Sequence, residues 1–137
     1  MADDVILNRA GTIERCVSRV REEAGAIEQA GAEAQTHEDA LVLNLLRACE
    51  SSIDLAMHVV RRRALGMPQS SRDAFVMLAD AGLLAPALAE RMQRMVGFRN
   101  IVVHRYREID PLVLRAIVLE RLDDFAEFTA AMIRLQS

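Results

Sequence analysis

Ile6, Ala10, Ile13, Val17, Val20, Ala24 and Ile27 alternate steps of four and three without a break. Wound as a helix, this part of the chain carries one continuous apolar seam, and so regular a seam needs a helical partner to bury it. The alternating β-branched runs of half-buried strands are missing, whereas Ala, Leu, Arg, Glu and Met, all good helix formers, dominate. Aromatic residues make up only 4% and there is no Trp. The chain therefore reads as all-α. With 137 residues, 52% of them hydrophobic, it closes one core without a metal or disulfide staple, so a single domain over residues 1–137 is expected.

Local signals set the helix boundaries. The first helix is predicted from about Val5 to Ile27, followed by a short connection from Ala30 to Gln35 that contains Gly31. Thr36 and Asp39 have the spacing of a capping box, which opens a long second helix from about His37 to Leu65. That helix is apolar on more than one side (Leu41, Val42, Leu45, Cys49, Ile53, Val60), as a central helix must be, and Gly66 and Pro68 end it. Ser70 or Ser71 caps a short third helix through Ala74, Phe75 and Leu78, with Gly82 at its end. Pro86 suits the first turn of a fourth helix that reaches His104 or Arg105. Asp110-Pro111, an N-cap acid before a first-turn proline, starts a fifth that runs to about Leu135. Four long helices and one short one make an up-and-down bundle around the first, second, fourth and fifth.

Cys16 and Cys49 lie inside apolar helical patterns without CxxC spacing, and no signal-like segment or long uncharged apolar run occurs. Two reduced core thiols in a cytoplasmic protein without membrane contact are expected. No His, Cys or carboxylate group has metal-ligand spacing, so neither metal nor cofactor is expected. The net charge of −3 argues against a general nucleic-acid binder, yet residues 61–107 hold nine Arg against Asp73, Asp80 and Glu90. That local +6 leaves −9 for the rest of the chain. Arg61-Arg62-Arg63 suits a helix C-terminus and a solvated surface better than an RNA contact. His37 and His58 read as structural or surface residues.

In the fourth helix Leu88, Met92, Met95, Arg99, Val102 and Tyr106 trace one face, which puts a cation and a hydroxyl where core residues are expected. An arginine on a packed face must be paired, lie across an interface, or line a cleft that takes an anion. His104 is five residues beyond Arg99, about 140° around an ideal helix, so the two do not share a face of a straight helix. Either the helix ends near His104 and the imidazole swings back, or a second copy across a two-fold axis completes the site. Asn100, four residues before His104, is spaced to hold the ring or to share a ligand with it. Gly97 costs the helix about 1 kcal/mol relative to Ala, which close approach of another backbone usually offsets.

The run Gly97-Phe98-Arg99-Asn100-Ile101-Val102-Val103-His104-Arg105-Tyr106, followed by Arg107-Glu108-Ile109-Asp110, resembles the signature of the HEPN superfamily, and closely that of its HepT-like ribonuclease toxins. There, Arg, four residues, His, one residue and Tyr form the motif. The similarity extends more weakly to Glu50-Ser51-Ser52-Ile53-Asp54 and to the helix order. The resemblance implies a HEPN-like bundle and a metal-independent endoribonuclease, a homodimer whose two motifs face a shared cleft. Arg99 and His104 are then catalytic, with Asn100, Tyr106 and Asp54 in support. Such chemistry suits the residue types, since an imidazole serves as acid or base near neutral pH and a guanidinium grips a phosphate. The resemblance also implies a small nucleotidyltransferase antitoxin that moves AMP from ATP to Tyr106, where the added phosphate would occupy the Arg99 anion site and block the RNA path.

Other readings stay open. Tyr106 is compatible with a seam tyrosine whose hydroxyl bonds a neighbour, and Asp54 either orients Arg99 or His104 across the bundle or makes a surface ion pair. The whole chain could instead be a non-catalytic HEPN module that binds nucleotide or a protein partner. It could also be a helical dimerisation protein with Arg99 and Tyr106 paired across the seam.

Overall fold

The computed structural model describes residues 3–136. Six α-helices follow one another, with no strand among the described residues: α1 (Asp4–Ile27), α2 (Ala34–Arg62), α3 (Ser71–Asp80), α4 (Pro86–Arg105), α5 (Pro111–Glu120) and α6 (Leu122–Arg134). Two 3₁₀ turns, Gly31–Glu33 and Tyr106–Glu108, precede α2 and follow α4. The seam of α1 packs along α2, with Ile6, Ala10, Ile13, Val17 and Val20 buried. Behind it, α4 and α6 close the bundle and α3 lies across α2 and α4. α2 is the central helix, buried on more than one side through Leu41, Leu45, Cys49, Leu55, Ala56 and Val60.

Most ends follow their local signals. Asp3 caps α1 by accepting from the Val5 amide at 3.0 Å, and its other oxygen bonds His58 Nε2 of α2 at 2.7 Å. That bond holds the Asp3 carboxyl below the usual carboxylate range. Ser70, rather than Ser71, caps α3. Asp110 caps α5 ahead of Pro111. Cys16 and Cys49 are free and buried, and burial pushes both thiols up. No helix among the described residues is long and apolar enough to cross a membrane.

Three boundaries differ from expectation. The capping box of Thr36 and Asp39 does not form, because the Gly31–Glu33 turn feeds directly into α2 at Ala34 and carries both residues inside the helix. Asp39 is thereby free to bond elsewhere. α2 stops at Arg62, short of Leu65: Ala64 takes the left-handed conformation (φ 53°), and the amides of Ala64 and Leu65 bond the carbonyls of Arg61 and Val60. This is the two-bond closure that glycine usually provides. The last long helix is divided at Arg121 (φ −121°, ψ −6°), which ends α5 and starts α6. α6 buries Leu122, Phe125, Phe128, Ala131 and Met132, whereas Leu114 is the buried residue of α5. The two segments thus meet the core at different depths.

Gly97 also has a different explanation. A Cβ there would come within 2.7 Å of Arg72 Nη2, reached from α3, and no backbone of another helix lies within 4 Å. The close neighbour is the far end of a flexible side chain rather than a second helix. Two opposite substitutions probe these positions. Ala64→Gly should raise stability by about 1 kcal/mol by relieving the left-handed alanine. Gly97→Ala should raise it by about 0.5–1 kcal/mol, since Arg72 swings aside and the helix gains propensity. Urea unfolding measures both; a loss of more than about 1 kcal/mol at either site contradicts that geometry.

Candidate active site

Arg99 projects from α4 onto α2, half-buried, with 28% of its side chain exposed. Its Nε donates to Glu50 Oε1 at 2.6 Å and its Nη2 to Glu50 Oε2 at 3.3 Å. Nη1 donates to Asn100 Oδ1 at 2.9 Å. Of the paired, interfacial or anion-lining roles open to a half-buried arginine, the first is realised. The two-pronged carboxylate contact raises the Arg99 pKa further above its ordinary value, so the cation is permanent and fixed in direction. Three of its five N–H groups are engaged, which leaves two for an anionic ligand.

Asp54 does not hold Arg99 or His104. Its carboxylate ion-pairs with Arg9 of α1 at 3.8 Å, on an exposed surface. It reaches Arg99 only as a weak attraction through space. Glu50 lies one turn earlier on α2 and takes the part assigned to Asp54; the direction of α2 relative to α4, which no local pattern reveals, decides between two acids four residues apart. Asn100, in turn, bonds Arg99 rather than the His104 ring.

α4 continues through His104 to Arg105, so the helix is unbroken between Arg99 and His104 and the offset of about 140° stands. The His104 side chain is exposed, and no hydrogen bond or ion pair engages it among the described residues. On the same side of α4, three and seven residues back, are Ile101 and Gly97. Both line a cleft of about 650 Å³ floored by Leu45, Met92, Phe98 and Phe125.

Tyr106 leaves the helical seam. At Arg105 the backbone turns (φ −142°) into the Tyr106–Glu108 turn, and the ring is 44% exposed instead of joining Val102 in the core. Its hydroxyl donates to Asp39 Oδ1 at 2.5 Å, and Gln35 Nε2 donates to the same oxygen at 2.8 Å. The adjacent carboxylate pushes the Tyr106 phenol up to about 12, and the bond holds Asp39 below the usual carboxylate range. Asp39 and Glu50 are the two residues of the site that sequence patterns did not assign to it; both are α2 acids whose partners lie 67 and 49 positions away.

Much of the basic stretch is neutralised by the acidic remainder. Arg91 binds Asp124 and Glu127 of α6, Arg62 faces Asp3, and Arg63 donates to the carbonyl of Leu135. His37 pairs with the buried Glu23, and His58 with Asp3, so both histidines are structural. Among the described residues, no three His, Cys, Asp or Glu side chains converge to hold a metal ion.

A family model described as ribonuclease HepT-like matches residues 13–132. The chain is 40% identical over 126 residues to the mRNA nuclease HepT of Shewanella oneidensis, an alignment that covers 92% of this chain and 94% of that one. A shorter match, 32% identical over 62 residues and covering 45% of this chain and 42% of the other, is to a tRNA nuclease HepT of Aphanizomenon flos-aquae. Among solved structures, the tri-AMPylated HEPN toxin of Shewanella oneidensis in complex with its MNT antitoxin superposes with a TM-score of 0.85 at 38% identity, covering 96% of this chain and 98% of that one. A toxin-antitoxin complex with AMP-PNP gives a TM-score of 0.87 at 38% identity, covering 96% and 99%. With its motif on the end of α4 and its bundle order matching throughout, the chain belongs to the HepT-like ribonuclease family of the HEPN superfamily.

Proposed function

We propose that this chain is an endoribonuclease toxin that cleaves RNA with Arg99 and His104 and is neutralised by a nucleotidyltransferase antitoxin that adenylylates Tyr106. One observation carries the reading: Arg99 is held by Glu50 and Asn100 with N–H groups to spare, while His104, on the same helix, is exposed and without a hydrogen bond or ion pair among the described residues. A structural histidine would be expected to have a partner, as His37 and His58 do. The relatives' names supply the substrate class and the partner, since they act on mRNA or tRNA or sit in complex with an MNT antitoxin.

In this mechanism a ribose 2′-hydroxyl attacks the adjacent phosphorus. A His104 imidazole removes the attacking proton or protonates the departing 5′-oxygen. Arg99 binds the phosphate and stabilises the charge that grows on it. No step calls for a metal. Because one helix turns Arg99 and His104 apart, the full constellation comes from a homodimer whose two α4 ends face one cleft. Exposed Ile101 and Val103, which flank His104 on α4, and Val113 on the cleft's far rim offer apolar surface for the second copy. Residues 1–137 act as one domain in the cytoplasm, where reduced Cys16 and Cys49 are at home.

Purified protein should cleave RNA in the presence of EDTA. His104→Ala should lower the rate by about 10²–10⁴-fold with helicity and unfolding midpoint unchanged. Mixing inactive Arg99→Ala and His104→Ala chains should restore part of the activity, because each hybrid site regains one intact member of each kind. Cleavage by His104→Ala at the wild-type rate defeats the catalytic assignment, and failure of the mixture to recover any activity defeats the shared cleft.

A further inference from the structure

The contact between Tyr106 and Asp39 is not needed for the fold. It joins an exposed phenol to an exposed carboxylate across 67 residues, from the 3₁₀ turn after α4 to the second turn of α2. Neither side chain belongs to the core. Asp39 is itself steadied by Gln35, one turn earlier on α2. Together they hold the hydroxyl of the chain's only tyrosine in one direction.

We propose that Asp39 positions Tyr106 for nucleotidyl transfer and accepts its proton as the transfer proceeds, an inference that rests on Tyr106 being the residue the antitoxin modifies. The co-reactant is a nucleoside triphosphate, ATP, delivered by the partner enzyme. Tyr106 Oη attacks the α-phosphorus, the new O–P bond forms, and the bond from that phosphorus to the pyrophosphate group breaks. Pyrophosphate leaves with its electron pair, and the phenolic proton passes along the existing 2.5 Å hydrogen bond to Asp39 Oδ1. A hydroxyl donating directly to a carboxylate is the arrangement by which an aspartate takes the proton of a phosphoryl acceptor. In the resting state the same bond keeps the phenol protonated, with its pKa near 12. The proton becomes labile only as the oxygen begins to bond to phosphorus, so a weakly basic carboxylate is a sufficient acceptor.

The same geometry bears on the product. A tyrosine carrying AMP has no phenolic hydrogen to donate, and its phosphodiester oxygens face the anionic Asp39 with Glu38 beside it in sequence. The former bond becomes a repulsion. The modified side chain is therefore pushed off α2 and does not return to the same position, which favours product release.

Two readouts test this. The chain has one Tyr and no Trp, so ultraviolet titration of the isolated protein reports Tyr106 alone. The wild-type phenol should ionise near 12 and the Asp39→Ala phenol clearly lower, toward the ordinary value of about 10. Transfer is followed with α-³²P-labelled ATP and an MNT nucleotidyltransferase purified with the chain. Asp39→Asn should slow it by about a hundredfold with little change in KM for ATP, and Asp39→Glu should recover part of the rate. A wild-type phenol that ionises near 10, or Asp39→Asn modified at the wild-type rate, overturns the role of Asp39. Absence of label on wild-type protein instead removes the modification reading itself, and the proposal falls with it; the two failures are told apart by whether wild type is labelled.

Discussion

The pairing of Arg99 with Glu50 is the contact on which the site depends. A guanidinium on the packed side of α4 has no place in an apolar core, and a partner on the central helix removes that conflict. The pair is only partly buried, with 28% and 41% of the side chains exposed, so its value lies less in stability than in direction. Two bonds to one carboxylate and a third to Asn100 fix the plane of the cation. An anion approaching Arg99 would meet a group already oriented, at little cost for ordering the side chain.

Glu50 also limits what Arg99 does alone. Its negative charge offsets the cation, so an isolated phosphate would gain little from the pair. Elsewhere, acids near the start of α1 and on α6 tie down several arginines, those of the basic stretch among them. Part of the positive charge is thereby held against the protein's own acids. This arrangement suits an enzyme that must recognise a phosphodiester at one place without coating itself with nucleic acid. His104 contrasts with its neighbours: it stands exposed, and unbonded among the described residues, at the end of the helix that carries the fixed cation.

What the sequence revealed divides by distance along the chain. The α1 seam, the caps Ser70 and Asp110, and the first-turn prolines Pro86 and Pro111 act within a few residues, and their helices start where those signals lie. The motif was legible because its residues break an apolar period. Contacts between distant segments were not. Asp54 and Glu50 are one helical turn apart, and only the crossing of α2 and α4 selects Glu50 for Arg99. Asp39 has the spacing of a cap yet serves Tyr106, because the turn before Ala34 starts the helix early. Ala64 closes α2 two residues ahead of the glycine that sequence patterns favour for that task, and Arg121 divides the last helix without Gly or Pro to announce it.

The most direct test of this account is a double-mutant cycle on RNA cleavage that compares Glu50→Gln, Arg99→Ala and the combined variant with wild type, using single-turnover rates on one defined RNA. If Glu50 acts by orienting Arg99, Glu50→Gln slows cleavage on its own and causes no further loss once Arg99 is gone. Equal losses with and without Arg99, or no loss from Glu50→Gln alone, would show that the pair is not what organises the site.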